Sequence, residues 1–186
     1  GDGRSPSSDD KINEMNIRPI WTDDDLYTIK AAVTPAQNAT AEDTAKLMIK
    51  QIIKARKDYK GSGNPTLFTT EDMLTDMLLI QDTTGRDIYD TEEKLRTKLR
   101  VKEIVTVPVM EGLTRTDSQS KTRKLAGIIV NLNDYNVGAD KGGAINMFDD
   151  FDIDYNQEKY LIETRCSGAM IKPYSAIAVE VVESAG

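Results

Sequence analysis

Apolar residues recur every three or four positions between residues 41 and 59, and this spacing predicts an amphipathic helix. The residues of the apolar stripe are Ala41, Ala45, Met48, Ile49 and Ile52. Thr40 is the predicted N-cap, with Asp43 three residues later as a variant of the capping box. The glycines and proline of residues 61–65 are expected to end the helix.

Two shorter helices are predicted after this one. The first begins after Thr69, which we expect to cap the helix at Asp72, and its body spans residues 73–79. The second spans residues 91–99, where acidic side chains stand at the positive end of the helix dipole and basic ones near the negative end.

Further along the chain the apolar pattern becomes that of β-strands. Residues 103–109 predict a strand at a sheet edge, because Pro108 cannot donate a hydrogen bond to a neighbour. The nearly continuous apolar run LAGIIVNL at 125–132 predicts a buried strand. We expect the polar stretches 113–124 and 133–143 to form an exposed loop and a turn-rich segment.

Three more β-rich segments follow, at residues 145–154, 160–170 and 176–182, and a short strand is predicted at 26–29. Helices and strands do not alternate in the regular order of a parallel α/β sheet. The predicted fold class is therefore α+β.

Composition narrows the class of protein. The chain has 186 residues, of which 39% are hydrophobic and 30% charged, which supports one folded domain or two small lobes. Its net charge of −7 argues against general nucleic-acid binding, which needs clustered basic side chains. Basic residues do cluster at 54–57, 96–100 and 121–124, but acidic residues lie near each run, so we interpret them as solvated faces.

Cys166 is the single cysteine, so the chain has no internal disulfide, which fits a reducing cytoplasm or a particle assembled there. We expect Cys166 to be a buried small apolar residue within a strand. No apolar run approaches the roughly 20 residues needed to span a membrane, and no secretory or transit segment is visible. The start at Gly1, inside a polar Gly/Ser/Asp stretch, predicts a fragment or a processed product.

Histidine is absent, which excludes Ser-His-Asp and Cys-His catalysis and zinc sites that use imidazole. One cysteine cannot build a structural zinc site. The glycine clusters at 61–63 and 142–143 lack the Lys-Ser/Thr of a phosphate-binding loop. We therefore predict no enzyme activity and no catalytic, cofactor-binding or metal-binding residue.

One acidic run has the alternating spacing that opens a calcium-binding loop: Asp150, Asp152 and Asp154. Tyr155 stands at the sixth position in place of glycine, and Leu161 at the twelfth in place of glutamate. The same alternation of acidic and apolar residues fits a half-buried strand. The strand is the favoured interpretation, and a weak cation site stays as the alternative.

Four stretches share their order and spacing with a known family. They are the Gly1-Asp2-Gly3 start with residues 12–17, the helix at 41–59 with its turn at 63–66, LIQDTTGRDIY at 79–89, and YLIETRCSGAMIKPYSAIAV at 160–179. Together they resemble the C-terminal half of a tailed-bacteriophage major capsid protein of the Hong Kong 97 type.

This resemblance implies the Hong Kong 97-type capsid fold, with a long spine helix packed on a mostly antiparallel sheet and a central mixed α/β axial lobe. Residues 1–63 and 146–186 would form a peripheral lobe, and residues 64–145 an axial lobe that points toward the centre of a capsomer. The N-terminal arm and the extended hairpin that clasp neighbours in this family would lie upstream of Gly1.

The function implied by the resemblance is that of a structural subunit of a phage or prophage capsid, which self-assembles into capsomers and an icosahedral shell around DNA. Its partners would be copies of itself, with a scaffold or maturation protease and a portal, and it would bind no membrane and no specific nucleic-acid sequence. It would be located in the virion, assembled in the bacterial cytoplasm. The alternatives are an acidic cation-binding or adaptor module and, less favoured, a histidine-free metal-dependent hydrolase.

Overall fold

A computed structural model of the chain describes residues 17–139, 146–152, 155–163 and 166–182. Three helices lie in these ranges: α1 (Ala41–Ala55), α2 (Glu71–Leu78) and α3 (Glu92–Leu99). The strands in the same ranges are β1 (Thr28–Val33), β2 (Thr66–Thr69), β3 (Ile104–Thr106), β4 (Thr114–Thr116), β5 (Thr122–Val130), β6 (Tyr135–Ala139), β7 (Asn146–Asp152), β8 (Gln157–Glu163), β9 (Cys166–Met170) and β10 (Ala176–Val182).

A mixed six-stranded sheet organises the fold, which is α+β as predicted. Its order is β1-β10-β5-β2-β3, and β4 pairs with the first residues of β5. β5 runs antiparallel to β10, β2 and β4, whereas β1 is parallel to β10 and β2 is parallel to β3. The predicted buried strand is confirmed as β5 at the sheet's centre, although it ends at Val130 and Leu132 is 59% exposed. The strand before Pro108 lies at the sheet's edge as predicted.

The amphipathic helix is confirmed as α1, which packs on β1 and β10, but Ala41 of the predicted apolar stripe is exposed in the first turn. Ala45, Met48, Ile49 and Ile52 are buried in the main core, together with residues of α2, α3 and the sheet. Thr40 and Asp43 form the predicted capping box. The helix ends at Ala55, earlier than residue 59, with Arg56 as its C-cap and a turn over residues 56–58.

The two shorter helices are also confirmed, although the start of α2 differs by one residue. Its N-cap is Thr70, whose hydroxyl accepts from the N–H of Met73. Thr69 belongs to β2, and its buried hydroxyl donates to the carbonyl of Ala126 at 2.7 Å. The prediction of Thr69 as the cap is therefore wrong, because Thr69 is the last residue of β2.

The predicted exposed loop at 113–124 is wrong. Most of it is a β-hairpin, in which Thr114 pairs with Lys124 and Thr116 pairs with Thr122. The turn is held by Asp117, whose carboxylate accepts from backbone N–H groups in the turn at 2.8 and 2.9 Å. Polar side chains are tolerated in β4 because this short strand lies at the edge of the sheet.

Two antiparallel ribbons lie outside the six-stranded sheet, one formed by β6 and β9 and the other by β7 and β8. The predicted single β-rich segment at 160–170 is thus two strands, and the turn-rich segment at 133–143 contains β6. Cys166 pairs with Ala139 in the first ribbon and is exposed, so the prediction that it is buried is wrong. The side chains on one face of a two-stranded ribbon are exposed to solvent unless another segment packs against that face.

Several sequence predictions fall outside the described residues: the polar start with its glycines, residues 12–16, Gly142, Gly143 and Asp154. The division into a peripheral and an axial lobe stays a prediction. Over the part of the chain that is described, no helix combines the length and the apolar character that crossing a membrane would require.

Candidate functional site

A cluster of ionisable groups surrounds Glu180, which lies in β10 just after an irregularity in its pairing with β5. The side chain of Glu180 is fully buried. Arg115 binds both carboxylate oxygens, from Nε at 2.7 Å and from Nη2 at 3.0 Å. The indole Nε1 of Trp21 donates to the same carboxylate at 2.7 Å. The buried charge is thus paired and hydrogen-bonded, as a low-dielectric site requires.

Arg123 extends this cluster to the turn between β4 and β5. Its Nη1 lies 3.7 Å from Glu180, and its Nε donates to Asp117 at 2.8 Å. The backbone N–H of Lys121 and the Arg123 guanidinium hold the pKa of Asp117 below its ordinary value. The interpretation of residues 121–124 as a solvated basic face is therefore wrong for Arg123, whose side chain is largely buried between carboxylates.

A cavity of about 660 Å³ opens beside the cluster and is lined by charges of both signs. Lys30 reaches into it and donates to the carbonyl of Asp23 at 2.8 Å, and burial lowers the pKa of the Lys30 ammonium. Glu180 already accepts three hydrogen bonds from Trp21 and Arg115. These contacts fasten the segment before β1 and the β4–β5 hairpin to β10, which is a positioning role for the cluster.

A second polar cluster joins Ser62, Asp134 and Lys172. The Ser62 hydroxyl donates to Asp134 at 2.7 Å, its backbone N–H donates to the same carboxylate at 2.6 Å, and Lys172 donates to the Ser62 oxygen. Lys172 also lies 3.5 Å from Asp134 as an ion pair. These contacts join the turn after α1 to the two loops that carry Asp134 and Lys172.

Neither cluster was predicted from the sequence, because the partners lie far apart along the chain. One signal was available for the first. Glu180 interrupts the otherwise apolar strand AIAVEVV, and a charge inside such a run is expected to be buried and paired.

Asp150 and Asp152 of the acidic run lie in β7, which confirms the strand interpretation there, and Asp154 lies outside the described residues. The prediction that this strand is half-buried is wrong for Phe151, which is 52% exposed. Asp149 is exposed there. Within the described ranges, no three acidic or cysteine side chains are grouped closely enough to hold a metal ion.

Five exposed apolar side chains lie on the two ribbons. They are between 52% and 73% exposed, and they are Val137, Met147, Phe151, Tyr155 and Tyr160. We call these five residues the ribbon surface. Exposed apolar residues that occur singly are ordinary, whereas a contiguous apolar patch marks a surface that associates with another molecule. Of these residues, Met147, Phe151 and Tyr160 share one face of the β7–β8 ribbon.

Comparisons with known proteins give little beyond this geometry. No family model matches the chain, and neither does any curated protein. Among solved structures, a chain from Mycobacterium phage Ogopogo is similar with a TM-score of 0.46 and 11% sequence identity, over 81% of this chain and 53% of that one. The present chain thus spans about half the length of that neighbour.

Proposed function

We propose that this protein is a structural subunit of a phage or prophage capsid, which assembles with copies of itself into capsomers and a shell around DNA. The observation that carries the proposal is the ribbon surface, where large apolar side chains are exposed on two-stranded β-structure. The more specific proposal of a capsid subunit comes from the order of the four sequence stretches described above, which resembles that of tailed-bacteriophage major capsid proteins.

The physical argument starts from the ribbon formed by β7 and β8. Two strands alone are at best marginally stable in water. Among the described residues no further strand pairs with either outer edge of this ribbon, which leaves edge N–H and C=O groups for another strand. Contact with another molecule would cover the apolar side chains and satisfy these edges. A subunit that leaves such a surface open in isolation is expected to complete it in an assembly.

Shell formation needs only modest contacts, because each subunit makes several at once. A contact between two unlike surfaces closes a ring when its rotation permits. The net charge of −7 suits a wall around DNA, since like charges keep the packaged polymer from adhering to it. On this proposal the chain is not an enzyme, its partners are its own copies with a scaffold or maturation protease and a portal, and its location is the virion.

Sedimentation velocity of the purified chain over a wide concentration range tests the proposal. We expect the mean mass to rise with concentration and the rise to weaken when the apolar ribbon surface is made polar. A chain that stays monomeric at every concentration would contradict the proposal.

A further inference from the structure

A shallow groove between α1 and α3 has an apolar floor and a basic rim. It encloses about 560 Å³, and it is lined by Ile53, Ile88, Tyr89, Lys94, Lys98 and Arg100. Ile53 and Ile88 are 39% and 44% exposed, although both are large and apolar. We call this feature the α1–α3 groove.

The positive charges on the rim of the groove are only partly neutralised by neighbouring carboxylates. Lys94 is paired with Asp90 at 2.7 Å. Lys98 and Arg100 form no ion pair within the described part of the chain. Arg56 adds a further cation beside Arg100, with its Nη2 donating to the carbonyl of Arg100 at 3.1 Å. An acidic partner would therefore be attracted to this rim.

One face of the β7–β8 ribbon has the complementary character. Asp149 pairs with Tyr160 and Phe151 pairs with Glu158, so these four side chains share a face with Met147. Met147, Phe151 and Tyr160 are exposed, and the charges at these positions are the carboxylates of Asp149 and Glu158. We call these five residues the acidic ribbon face.

Both surfaces are open in the same molecule, so neither covers the other within one copy. We propose that the acidic ribbon face of one copy docks into the α1–α3 groove of a second copy. This inference rests on the proposed function and names the surfaces through which the copies would meet. Because the two surfaces differ, the contact is heterologous and repeats from copy to copy, which is the arrangement that builds rings.

The two kinds of side chain have separate roles in this contact. Phe151 supplies an aromatic anchor for the apolar floor, since binding energy concentrates in a few buried aromatic residues. The Tyr160 hydroxyl donates to the Glu158 carboxylate at 2.6 Å and orients it on the same face. Asp149 and Glu158 meet the cations of the rim and fix the orientation of the ribbon. Exposed charge pairs of this kind contribute more to specificity and association rate than to affinity.

A charge-swap experiment tests the proposal on the full chain, with self-association followed by sedimentation velocity at low salt. We expect Lys98→Glu and Asp149→Lys each to weaken self-association by roughly threefold to tenfold. The variant that combines both changes restores an opposite-charge pair, so we expect it to recover to within about twofold of the parent.

Matched control variants distinguish the effect of a local contact on association from the effect of a change in net charge. Lys102→Glu and Glu111→Lys make the same two changes of charge at exposed positions outside both surfaces, and we expect neither to change association appreciably. Phe151→Ser removes the anchor, with an expected weakening of about tenfold or more. Thermal unfolding of each variant confirms that it is folded.

The outcomes distinguish this inference from the proposed function. Association of the parent chain with equal losses in Lys98→Glu and Lys102→Glu would overturn the docking surfaces and leave the proposed function intact. Single losses without recovery in the combined variant would also overturn the docking, because the two charges would then face other partners. A parent chain that never associates would overturn both.

Discussion

At the scale of single residues, Glu180 shows how a charge can be kept inside an apolar sheet. Arg115 binds both of its carboxylate oxygens, and Trp21 supplies a third hydrogen bond. Such a buried pair adds little net stability over well-packed apolar residues, but removing one partner leaves a charge without compensation. The value of the cluster is that it fixes three distant segments in one arrangement.

We predict that Arg115→Met lowers the free energy of unfolding by about 2 to 3 kcal/mol. The loss is at the low end for buried pairs because Arg123 remains 3.7 Å from Glu180. Urea unfolding measures it, with Lys94→Met as control, since the exposed pair of Lys94 with Asp90 is expected to contribute under about 0.5 kcal/mol. Equal small losses in both variants would contradict the role given to Arg115.

A pH dependence is predicted for the Ser62–Asp134–Lys172 cluster. Burial alone would raise the pKa of Asp134, but the hydrogen bonds from Ser62 and the charge of Lys172 outweigh burial and hold this pKa below the ordinary value of 3.8. A carboxylate with a lowered pKa in the folded state stabilises the fold above its unfolded pKa, and this contribution is lost as the pH falls.

We therefore expect Asp134→Asn to be less stable than the parent near neutral pH, with the difference shrinking as the pH falls below about 4. Urea unfolding at several pH values measures the difference. A gap that stays constant down to the most acidic condition would contradict the contribution of the carboxylate charge.

At the scale of elements, the ends of the helices are set by short polar contacts. Thr40 accepts from the N–H of Asp43, and the Asp43 carboxylate accepts in return from the Thr40 N–H at 3.1 Å. Either Thr69 or Thr70 could cap α2 by residue type. Thr69 pairs with β3 and β5, however, and so belongs to β2. The cap then falls to the next residue.

We predict that Thr40→Ala lowers the free energy of unfolding by about 1 kcal/mol through loss of the α1 cap. Thr114→Ala serves as the control, because Thr114 is exposed in β4 and caps no helix. Chemical unfolding followed by circular dichroism compares the two. A Thr40→Ala variant as stable as the control would show that the capping box does not contribute to stability.

Local patterns predicted most of the elements, because a helix stripe or a buried strand depends on neighbours a few residues away. The apolar spacing of α1 and the continuous run of β5 are of this kind. The hairpin of β4 with β5 was missed, because its pairing depends on a sheet edge formed by distant segments. For the same reason the exposure of Cys166 could not be predicted, since it depends on what packs against its ribbon.

The candidate clusters illustrate the same limit. Trp21 and Glu180 lie 159 positions apart, and Ser62 and Asp134 lie 72 positions apart. No periodicity relates such positions. The charge of Glu180 within an apolar strand was the local sign that a partner must exist, but it did not identify the partner.

At the scale of the whole molecule, the chain combines a closed core with surfaces that remain open. The sheet and the three helices bury one large apolar cluster in the described part of the chain. The ribbons and the α1–α3 groove instead expose apolar side chains. This division is expected of a subunit that folds by itself and completes its burial by assembly.

On the proposed function the turn after β4 belongs to the axial lobe and makes a second contact between copies, so we predict that Lys121→Glu impairs ring formation. Stability is expected to stay unchanged, since Lys121 is exposed in that turn. Arg123→Glu is expected to lower stability as well, because it would place a carboxylate against Asp117 and Glu180. Electron microscopy and thermal unfolding compare the two variants. Normal rings from a well-folded Lys121→Glu variant would exclude the turn from the contacts between copies.

Electron microscopy of the concentrated chain tests most directly whether this molecule is a self-assembling subunit. We predict closed rings or shell fragments in which every copy makes the same head-to-tail contact, so that class averages have rotational symmetry. Fields of single, unassociated particles at every concentration, with the protein shown to be folded, would contradict the account.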